Sequence, residues 1–365
     1  MNTRFALLLV GLVALAGATS AAAAEAARPA VREGALLLQD FKFDSGESLP
    51  ELRLHYRTLG TPRRDAQGRV NNAVLLMHGT TGSGTQFLQP QFAGELFGPG
   101  QPLDVAKYFI VLRDAIGHGK SSKPSDGLRA KFPRYGYRDI VRADHLLLTR
   151  GLDVNHLKLV AGTSSGGMHT WLWGEMFPDF MDGLVPLGSL PVEVSGRNRV
   201  WRRMITDTIR SDPLWRGGNY TAPPPSLRLA AKVVFFVLGN PLLRQAQMPT
   251  AADADAVLAE YEENFLKTTD ANNLLYAVES SHDYDPGPDL GKIRARLVAI
   301  NSFDDLINPP ELGILEREIR RVPHGRIYMI PYTAESQGHG SHTSAELWRD
   351  ELARFLLELE PVAKP

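Results

Sequence analysis

Short apolar segments alternate with longer amphipathic segments along most of the chain. The apolar segments are rich in β-branched and aliphatic residues, are bounded by Gly, Pro and Asp, and lie at residues 72–78, 108–114, 157–162, 183–188, 295–301 and 326–330. Their near-continuous hydrophobicity is typical of strands that are covered on both faces. The segments between them, such as 137–151 and 166–177, are predicted to be helices. The alternation predicts an α/β fold with a mostly parallel central sheet and helices on both faces.

A different pattern precedes the first apolar segment. Residues 35–43 and 52–58 alternate between apolar and polar positions, and Ser45-Gly46-Glu47 lies between them. Alternation on both sides of a short turn is typical of a β-hairpin. We therefore expect an antiparallel hairpin at one edge of the sheet.

The strand pattern disappears between residues 191 and 292. This segment contains Arg-rich and aromatic helical stretches, the turn cluster Pro223-Pro224-Pro225 and an apolar stretch at 227–238. The apolar stretch carries Arg228 and Lys232 and is too short to span a bilayer, so the wall of a pocket is preferred over a helix that dips into a membrane. The sequence predicts a helical cap at 191–292, inserted between two parts of an α/β core at 25–190 and 293–365.

The first 24 residues are predicted to be a cleaved signal peptide. A short positive start is followed by an apolar run at 5–16 and by Ala22-Ala23-Ala24, which fits small-residue cleavage near Ala24. A membrane anchor is the alternative, but it would need about 20 apolar residues. The expected location is the periplasm or the medium, with no stable membrane span after cleavage.

Composition and charge exclude several classes of function. The 365 residues include 40 Lys+Arg and 41 Asp+Glu, and this balance gives no electrostatic support for nucleic-acid binding. The absence of cysteine excludes disulfides, Cys-ligated metal sites and a thiol nucleophile. No His, Asp or Glu group has convincing metal-ligand spacing. We expect neither a metal nor a cofactor, and any nucleophile must be oxygen or nitrogen.

The strongest chemical motif is G-x-S-x-G at Gly162-Thr163-Ser164-Ser165-Gly166. It follows a predicted strand and precedes a predicted helix, which is the context that a nucleophile elbow requires. Ser164 is the predicted nucleophile. Ser165 falls outside the motif frame, but its backbone N–H is placed to hold negative charge on a substrate oxygen.

A serine nucleophile needs a base and a group that orients the base. His339 lies between two glycines after the last predicted strand and before a helix predicted at 344–357, and it is the preferred base, with His342 as the alternative. Asp305 is the preferred carboxylate because it begins a D-x-I-x-P pattern, with Asp304 as the alternative. The order Ser164, Asp305, His339 is that of α/β hydrolases.

Other polar residues follow the first two predicted parallel strands. Thr80, in His78-Gly79-Thr80-Thr81-Gly82, is expected to supply the second oxyanion donor through its backbone N–H. His78 and His118 are interpreted as histidines that organise loops. His169 is interpreted as a packed or pocket-lining histidine.

Several motifs resemble the homoserine O-acetyltransferase branch of the α/β hydrolases. They are Phe43-Asp44-Ser45-Gly46-Glu47, Leu49-Pro50-Glu51-Leu52, Tyr56-Arg57-Thr58-Leu59-Gly60, Asn72-Ala73-Val74-Leu75, Gly162-Thr163-Ser164-Ser165-Gly166-Gly167-Met168 and Asp270-Ala271-Asn272. The resemblance implies an α/β-hydrolase fold with a cap, Ser164, Asp305 and His339 as catalytic residues, and Thr80 and Ser165 as oxyanion donors. It also implies a possible homodimer through the cap.

Two departures from that family bear on the substrate. The elbow reads Ser164-Ser165-Gly166-Gly167-Met168-His169, where the transferases usually have Ser-Met-Gly-Gly-Met-Gln. The family's Arg-Gln-Ala, whose arginine grips the homoserine carboxylate, is replaced by Thr206-Asp207-Thr208 before Asp212-Pro213. A bidentate carboxylate clamp is therefore expected to be missing. The remaining cap arginines are interpreted as a solvated face rather than a replacement clamp; they are Arg197, Arg199, Arg202, Arg203 and Arg210.

The sequence therefore predicts an exported serine enzyme that hydrolyses small-molecule carboxylic esters through an acyl-serine intermediate. One alternative is an O-acyltransferase of the homoserine type that uses an acyl-CoA donor. The other is a catalytically silent protein that keeps the cap pocket for a small apolar ligand.

Overall fold

The computed structural model of the chain describes residues 30–360. The predicted signal peptide at 1–24 lies outside these residues and stays a prediction. The described chain forms a central sheet with helices on both faces and a helical segment inserted near one edge. This arrangement confirms the predicted fold class.

The sheet has eight strands in the order β1-β2-β4-β3-β5-β6-β7-β8. The strands are β1 (Arg32–Lys42), β2 (Ser48–Leu59), β3 (Ala73–Met77), β4 (Phe109–Arg113), β5 (Leu157–Thr163), β6 (Met181–Leu187), β7 (Arg296–Ser302) and β8 (Gly325–Ile330). Strands β3 to β8 are parallel to one another, whereas β2 runs antiparallel to both β1 and β4. All six predicted parallel strands and the edge hairpin are therefore confirmed.

Alternate side chains of the parallel strands enter two separate hydrophobic clusters. Leu75 and Met77 of β3 join the cluster on one face, and Val74 and Leu76 join the cluster on the other. All five residues of β3 are buried, which is why its sequence is apolar throughout. Both faces of the sheet are thus covered, and the carboxyl ends of the strands are left to carry polar loops.

Ten α-helices lie among the described residues. They are α1 (Pro90–Leu96), α2 (Tyr137–Leu146), α3 (Ser165–Met176), α4 (Gly196–Ser211), α5 (Ser226–Leu238), α6 (Pro241–Gln247), α7 (Ala251–Thr268), α8 (Ala271–Glu279), α9 (Ile314–Glu318) and α10 (Arg349–Glu358). Helices α2 and α3 contribute to one hydrophobic cluster, and α1 and α10 contribute to the other.

Helices α4 to α8 fall within the segment predicted as a cap, between β6 and β7. Four of them, α4, α5, α7 and α8, share a hydrophobic cluster of their own, which includes Ile205 of α4, Val234 of α5 and Leu274 of α8. The cap therefore has an internal core. Within residues 30–360 no single helix is long and apolar enough to cross a membrane. Helices α5 and α6 reach the necessary length and hydrophobicity only when they are taken together, and they are bent by 112° where they meet.

Two predicted helices differ in extent from the structure. The helix predicted at 344–357 begins only at Arg349, after a 3₁₀ turn at Ala345–Leu347. The buried side chain of Trp348 packs against Phe92 of α1, and its backbone angles interrupt the helix there. The helix predicted at 137–151 is α-helical only to Leu146 and ends in a π-helical turn.

Strand β5 and helix α3 approach each other so closely that only glycine fits at Gly162. A Cβ on Gly162 would lie 2.1 Å from the carbonyl oxygen of Gly166. We expect Gly162→Ala to lower the free energy of unfolding by about 1–3 kcal/mol, because backbone rather than a flexible side chain must move. Gly94→Ala in α1 is the matched control, since a Cβ added there would meet nothing within 4 Å. It should be neutral or stabilise by about 0.5–1 kcal/mol, and urea unfolding measures both. An equal loss of unfolding free energy in Gly162→Ala and Gly94→Ala would contradict the close approach of β5 and α3.

Candidate active site

Ser164 lies at the sharp turn between β5 and α3. Its backbone has φ 56° and ψ −116°, a strained conformation for a residue with a side chain. The turn is possible because Gly166 lies against β3, where a Cβ would be 2.0 Å from the carbonyl oxygen of Met77. The Ser164 side chain therefore stands clear of the sheet at the start of a helix, as the elbow motif predicts.

His339 and Asp305 reach Ser164 from two later loops. The Ser164 hydroxyl donates to His339 Nε2 at 2.9 Å, and His339 Nδ1–H donates to Asp305 Oδ2 at 2.8 Å. Because a carboxylate can only accept hydrogen bonds, the ring proton of His339 lies on Nδ1, and Nε2 is the acceptor. His339 and Asp305 are both buried. The structure thus brings together the three residues that the sequence selected, with the geometry of a nucleophile, a base and an orienting acid.

Asp305 lies in a turn just after β7 and is held as a carboxylate. Its Oδ1 accepts from the backbone N–H groups of Ile307 at 2.7 Å and Asn308 at 3.1 Å, and its Oδ2 accepts from Asn308 Nδ2 at 3.0 Å. Burial opposes its ionisation, but the positive charge and hydrogen bond of His339, together with the hydrogen bonds from Asn308, outweigh it and lower the Asp305 pKa. An ionised Asp305 fixes the orientation of His339.

Asp304, the alternative carboxylate, has a different set of partners. Its Oδ2 accepts from Asn240 Nδ2 at 2.6 Å and from the Gly338 backbone N–H at 2.8 Å. Asp304 therefore ties the loop of His339 to the cap instead of contacting the imidazole. The sequence analysis did not identify Asn240 or Asn308. Asn308 was visible inside the D-x-I-x-P pattern, whereas nothing near Asn240 signalled a contact with residue 304.

His342, the alternative base, packs edge-on against His339 with 4.7 Å between ring centroids. Among residues 30–360 its Nδ1 has no hydrogen-bond partner. Burial, and then the nearby charge of His339, lower the His342 pKa to about 3. It stays neutral at ordinary pH and lines the cavity beside the reactive imidazole.

The two predicted oxyanion donors lie on either side of Ser164. The Gly79–Thr80 loop after β3 comes close to the serine, since a Cβ on Gly79 would be 3.3 Å from Ser164 Cβ. Within the described part of the chain the Thr80 N–H donates to no backbone carbonyl, and Thr80 lines the cavity. The Ser165 N–H is in the first turn of α3, where amides lack an intrahelical acceptor. Neither amide donates to a backbone carbonyl among residues 30–360, and both stay the predicted oxyanion donors.

Three other histidines make hydrogen bonds close to this arrangement. His78 donates through Nδ1 to the Gly79 carbonyl at 2.8 Å and accepts at Nε2 from the Ala115 N–H at 3.1 Å. His118 Nε2 lies 2.8 Å from the Thr80 carbonyl. His169 Nδ1 accepts from the buried Arg113 guanidinium at 2.8 Å. None of the three contacts Ser164 in the way that His339 does, so their contacts fit the structural roles predicted for them.

A cavity of about 280 Å³ lies between the cap and the loops that carry Ser164, Thr80 and His339. The core side presents Ser164, Thr80 and His339, and the cap side is mainly apolar. The apolar stretch at 227–238 contributes to this wall, as predicted. The cap residues that line the cavity are Asn198, Trp201, Arg202, Ile205, Val234, Val237, Leu238, Leu274 and Val278. A larger charged hollow of about 1090 Å³ lies at the amino ends of the strands, next to Lys158 at the start of β5, and is therefore at the opposite edge of the sheet from Ser164.

The interpretation of the cap arginines as a solvated face is wrong for Arg202. The other four are exposed, but Arg202 is only 3% exposed and lines the cavity. Its guanidinium donates to Asn198 Oδ1, the Val278 carbonyl and Ser281 Oγ at 3.0–3.3 Å. Among residues 30–360 no carboxylate lies within 4.0 Å of it. The turn of α4 that carries Arg202 faces inward with Ile205, and a pattern of arginines alone does not reveal that face.

The described residues contain no group of three or more side chains arranged to hold a metal ion.

Comparison with known proteins gives a consistent classification. Residues 72–236 match the family model for the α/β hydrolase fold. A probable acyltransferase of Methanothermobacter thermautotrophicus is 27% identical over 288 residues, which is 76% of this chain and 84% of that protein. A homoserine O-acetyltransferase of Chloroherpeton thalassium is 29% identical over 349 residues, 87% of this chain and 84% of that protein. The solved structure of an acetylester hydrolase from Corynebacterium glutamicum superposes with a TM-score of 0.77 at 20% identity, covering 89% of this chain and 96% of the other.

The chain therefore has the α/β-hydrolase fold. Its resemblance is to homoserine O-acetyltransferases, as the sequence motifs predicted.

The buried His342 predicts a pH dependence of stability. Its pKa is about 3 in the folded chain against 6.5 for a free histidine, so between those values the unfolded chain binds more protons. The free energy of unfolding should therefore fall as the pH drops below 6.5, by up to about 1.4 kcal/mol per pH unit from this group. Urea unfolding at several pH values should show that the free energy of unfolding falls less steeply toward acid pH in His342→Gln than in the wild type.

The exposed His282 provides the control, because His282→Gln makes the same exchange outside the buried site. Buried Glu175 and Asp144 have pKa values raised by desolvation, to about 8 and about 6, and they titrate in the opposite sense. The comparison of variant with wild type removes their contribution. An identical slope in His342→Gln and wild type would refute the prediction.

Proposed function

We propose that the protein is a serine-dependent acyl-transfer enzyme whose main reaction is hydrolysis of small-molecule carboxylic esters. The observation that carries this proposal is the hydrogen-bonded series Ser164, His339 and Asp305, with distances of 2.9 and 2.8 Å, beside a cavity of about 280 Å³. The similarity of the chain to acyltransferases is consistent with chemistry at an acyl carbon.

In the first half-reaction Ser164 Oγ attacks the acyl carbonyl carbon while His339 Nε2 takes the hydroxyl proton. The carbonyl oxygen becomes an oxyanion that accepts hydrogen bonds from the backbone N–H groups of Thr80 and Ser165. Each donor of this kind lowers the barrier by about 3 kcal/mol. The carbon–oxygen bond to the alcohol then breaks, and the alcohol leaves with the proton from His339. The product is an acyl ester of Ser164.

In the second half-reaction water replaces the alcohol. His339 accepts a proton from water, the hydroxide oxygen attacks the acyl-serine carbon, and Ser164 leaves with the proton from His339. Asp305 stays ionised throughout and stabilises the imidazolium that forms in both steps. Free acid is released, and the enzyme returns to its starting state.

Hydrolysis is favoured over transfer by two features of the chain. Thr206 occupies the position of the homoserine-binding arginine in the resembling family, and its hydroxyl donates to the Arg203 carbonyl at 3.2 Å. The amino-terminal segment is predicted to direct export, away from the cytosolic supply of acyl-CoA. We therefore propose water as the acyl acceptor and the periplasm or medium as the location.

A second candidate function is O-acyl transfer to a hydroxyl-bearing acceptor. The specific observation in its favour is Arg202, a buried cation in the cavity wall with no carboxylate within 4.0 Å among residues 30–360. A buried charge is costly without a partner. An acceptor that carries a carboxylate would supply one. A catalytically silent binding protein is the third possibility, and nucleophile labelling distinguishes it from both enzymes.

Removal of the proposed catalytic groups should abolish turnover without unfolding the protein. Ser164→Ala should lose ester hydrolysis and labelling by a fluorophosphonate probe. Asp305→Asn should lower kcat by about 10⁴-fold, because the amide no longer fixes the reactive tautomer of His339. Initial rates with p-nitrophenyl acetate measure both effects, and circular dichroism checks the fold. The exposed cap serine variant Ser211→Ala is the control. Strong probe labelling of Ser164→Ala, or no labelling of the folded wild type, would rule out Ser164 as the nucleophile.

Arg202 should distinguish water from a carboxylate-bearing acceptor. With each acyl donor tested, acyl-CoA included, we expect the wild type to form more free acid than acyl-transfer product. If hydrolysis of neutral esters is the main reaction, Arg202→Met should change kcat/KM by no more than about threefold in a folded protein. If a carboxylate-bearing acceptor is the natural one, the same variant should raise its KM by about 10–100-fold, since charged hydrogen bonds contribute about 1.5–3 kcal/mol. Product analysis by mass spectrometry reads out both, and Arg203→Met, on the exposed side of the same helix, is the matched control.

A further inference from the structure

The catalytic cavity ends against a second hollow on the outside of the cap. This outer hollow is an open groove of about 290 Å³ between α4 and α5. Among residues 30–360 only two side chains, Trp201 and Val237, line both the groove and the catalytic cavity. The two hollows are therefore separated by the thickness of these side chains.

Trp201 is held by packing rather than by hydrogen bonding. Its side chain is 9% exposed, and the Arg202 guanidinium lies over the indole with 4.7 Å to the ring centroid. Among residues 30–360 the buried indole Nε1 has no acceptor. Replacement of the indole would consequently leave no polar partner unsatisfied.

The groove beyond Trp201 is lined mainly by apolar side chains. Val200 is 57% exposed, Met204 is 51% exposed and Phe236 is 74% exposed. Arg197 and Lys232 also line the groove. The wall of the catalytic cavity that leads toward it is apolar as well, with Ile205 and Val234. An apolar path would therefore run from Ser164 to the surface of the cap if the indole were absent.

We propose that Trp201, backed by Val237, forms the end wall of the substrate site and limits the length of the apolar chain that the enzyme accepts. This inference rests on the proposed function, because it concerns substrates that react at Ser164. The chain in question is a linear hydrocarbon chain, which an ester can carry on its acyl side or on its alcohol side. Short chains fit within the cavity, and longer ones collide with the indole.

The physical basis is the closeness of packing in protein interiors. A chain that fits gains from each methylene it buries, and one methylene in an apolar pocket changes kcat/KM by about tenfold or more. A chain that is too long must displace the indole from its contact with Arg202 or bend back on itself. The wild type should consequently show a sharp cut-off in kcat/KM with chain length.

The experiment measures kcat/KM for two series of esters on wild type and variants. One series varies the acyl chain of p-nitrophenyl esters from two to twelve carbons, and the other varies the alcohol of acetate esters over the same range. Trp201→Ala should move the cut-off by at least two carbons and raise kcat/KM for the longest ester, relative to the two-carbon ester, by at least tenfold. Trp201→Phe, which keeps an aromatic wall, should keep most of the wild-type cut-off.

Met204→Ala is the matched control, because Met204 lines the groove without lining the catalytic cavity. It removes apolar volume from the same helix, and the cut-off should stay where it is in the wild type. Val237→Ala opens the same wall from α5 and carries the test if Trp201→Ala does not fold. Thermal unfolding shows which variants are folded.

The outcomes separate this inference from the proposed function. A shift in the acyl series or in the alcohol series supports the end wall and shows which part of the ester points toward it. An unchanged cut-off in both series, in folded and active Trp201→Ala or Val237→Ala, overturns it. Absence of Ser164-dependent turnover in the wild type overturns the proposed function itself and this inference with it.

Discussion

The strained turn at Ser164 is the constraint on which the site depends. The serine has φ 56°, and the turn is held by its amide, which donates to the Leu187 carbonyl of β6 at 2.8 Å. Gly162 and Gly166 have no Cβ at points where backbone atoms of α3 and β3 lie about 2 Å from the Cβ position. The strand and the helix can therefore meet at a tight angle. A looser turn would leave the hydroxyl in the plane of the sheet, beyond the reach of a base that arrives 175 residues later.

Beneath this turn lies a buried polar layer centred on Arg113. Its guanidinium is fully buried, pairs with Asp144 at 3.1 Å and contacts His78 at 3.1 Å and His169 at 2.8 Å. Burial first, and then the charge of Arg113, keep the pKa values of both histidines well below the ordinary value. Neutral His78 can accept hydrogen bonds and hold the loop that carries Thr80. One buried cation thus fixes the geometry of the loop without placing a charge on it.

The sequence predicted the parts of the molecule that local chemistry determines. The Ser164 turn is encoded within five consecutive residues, and the parallel strands are encoded by apolar runs that only a doubly covered sheet tolerates. Asp305 was separable from Asp304 because its spacing to Ile307 and Pro309 forms a D-x-I-x-P pattern, which Asp304 does not have. Arg202 could not be assigned, because five arginines along one helix do not reveal which turn faces inward until the partner of that helix is known. Asn240 contacts a carboxylate 64 positions away, which no local pattern encodes. Trp348 ended a helix early for the same reason, through a packing contact with distant α1.

The link between Asn240 and Asp304 constrains how molecules enter and leave. The same carboxylate oxygen accepts from the first residue before α6 and from the amide of Gly338, beside the base. A swing of the whole cap would pull on the loop that carries the imidazole. In the proposed reaction, substrate and product therefore exchange through a passage within or beside a stationary cap. A cap that swung open in every catalytic cycle would move the imidazole out of alignment.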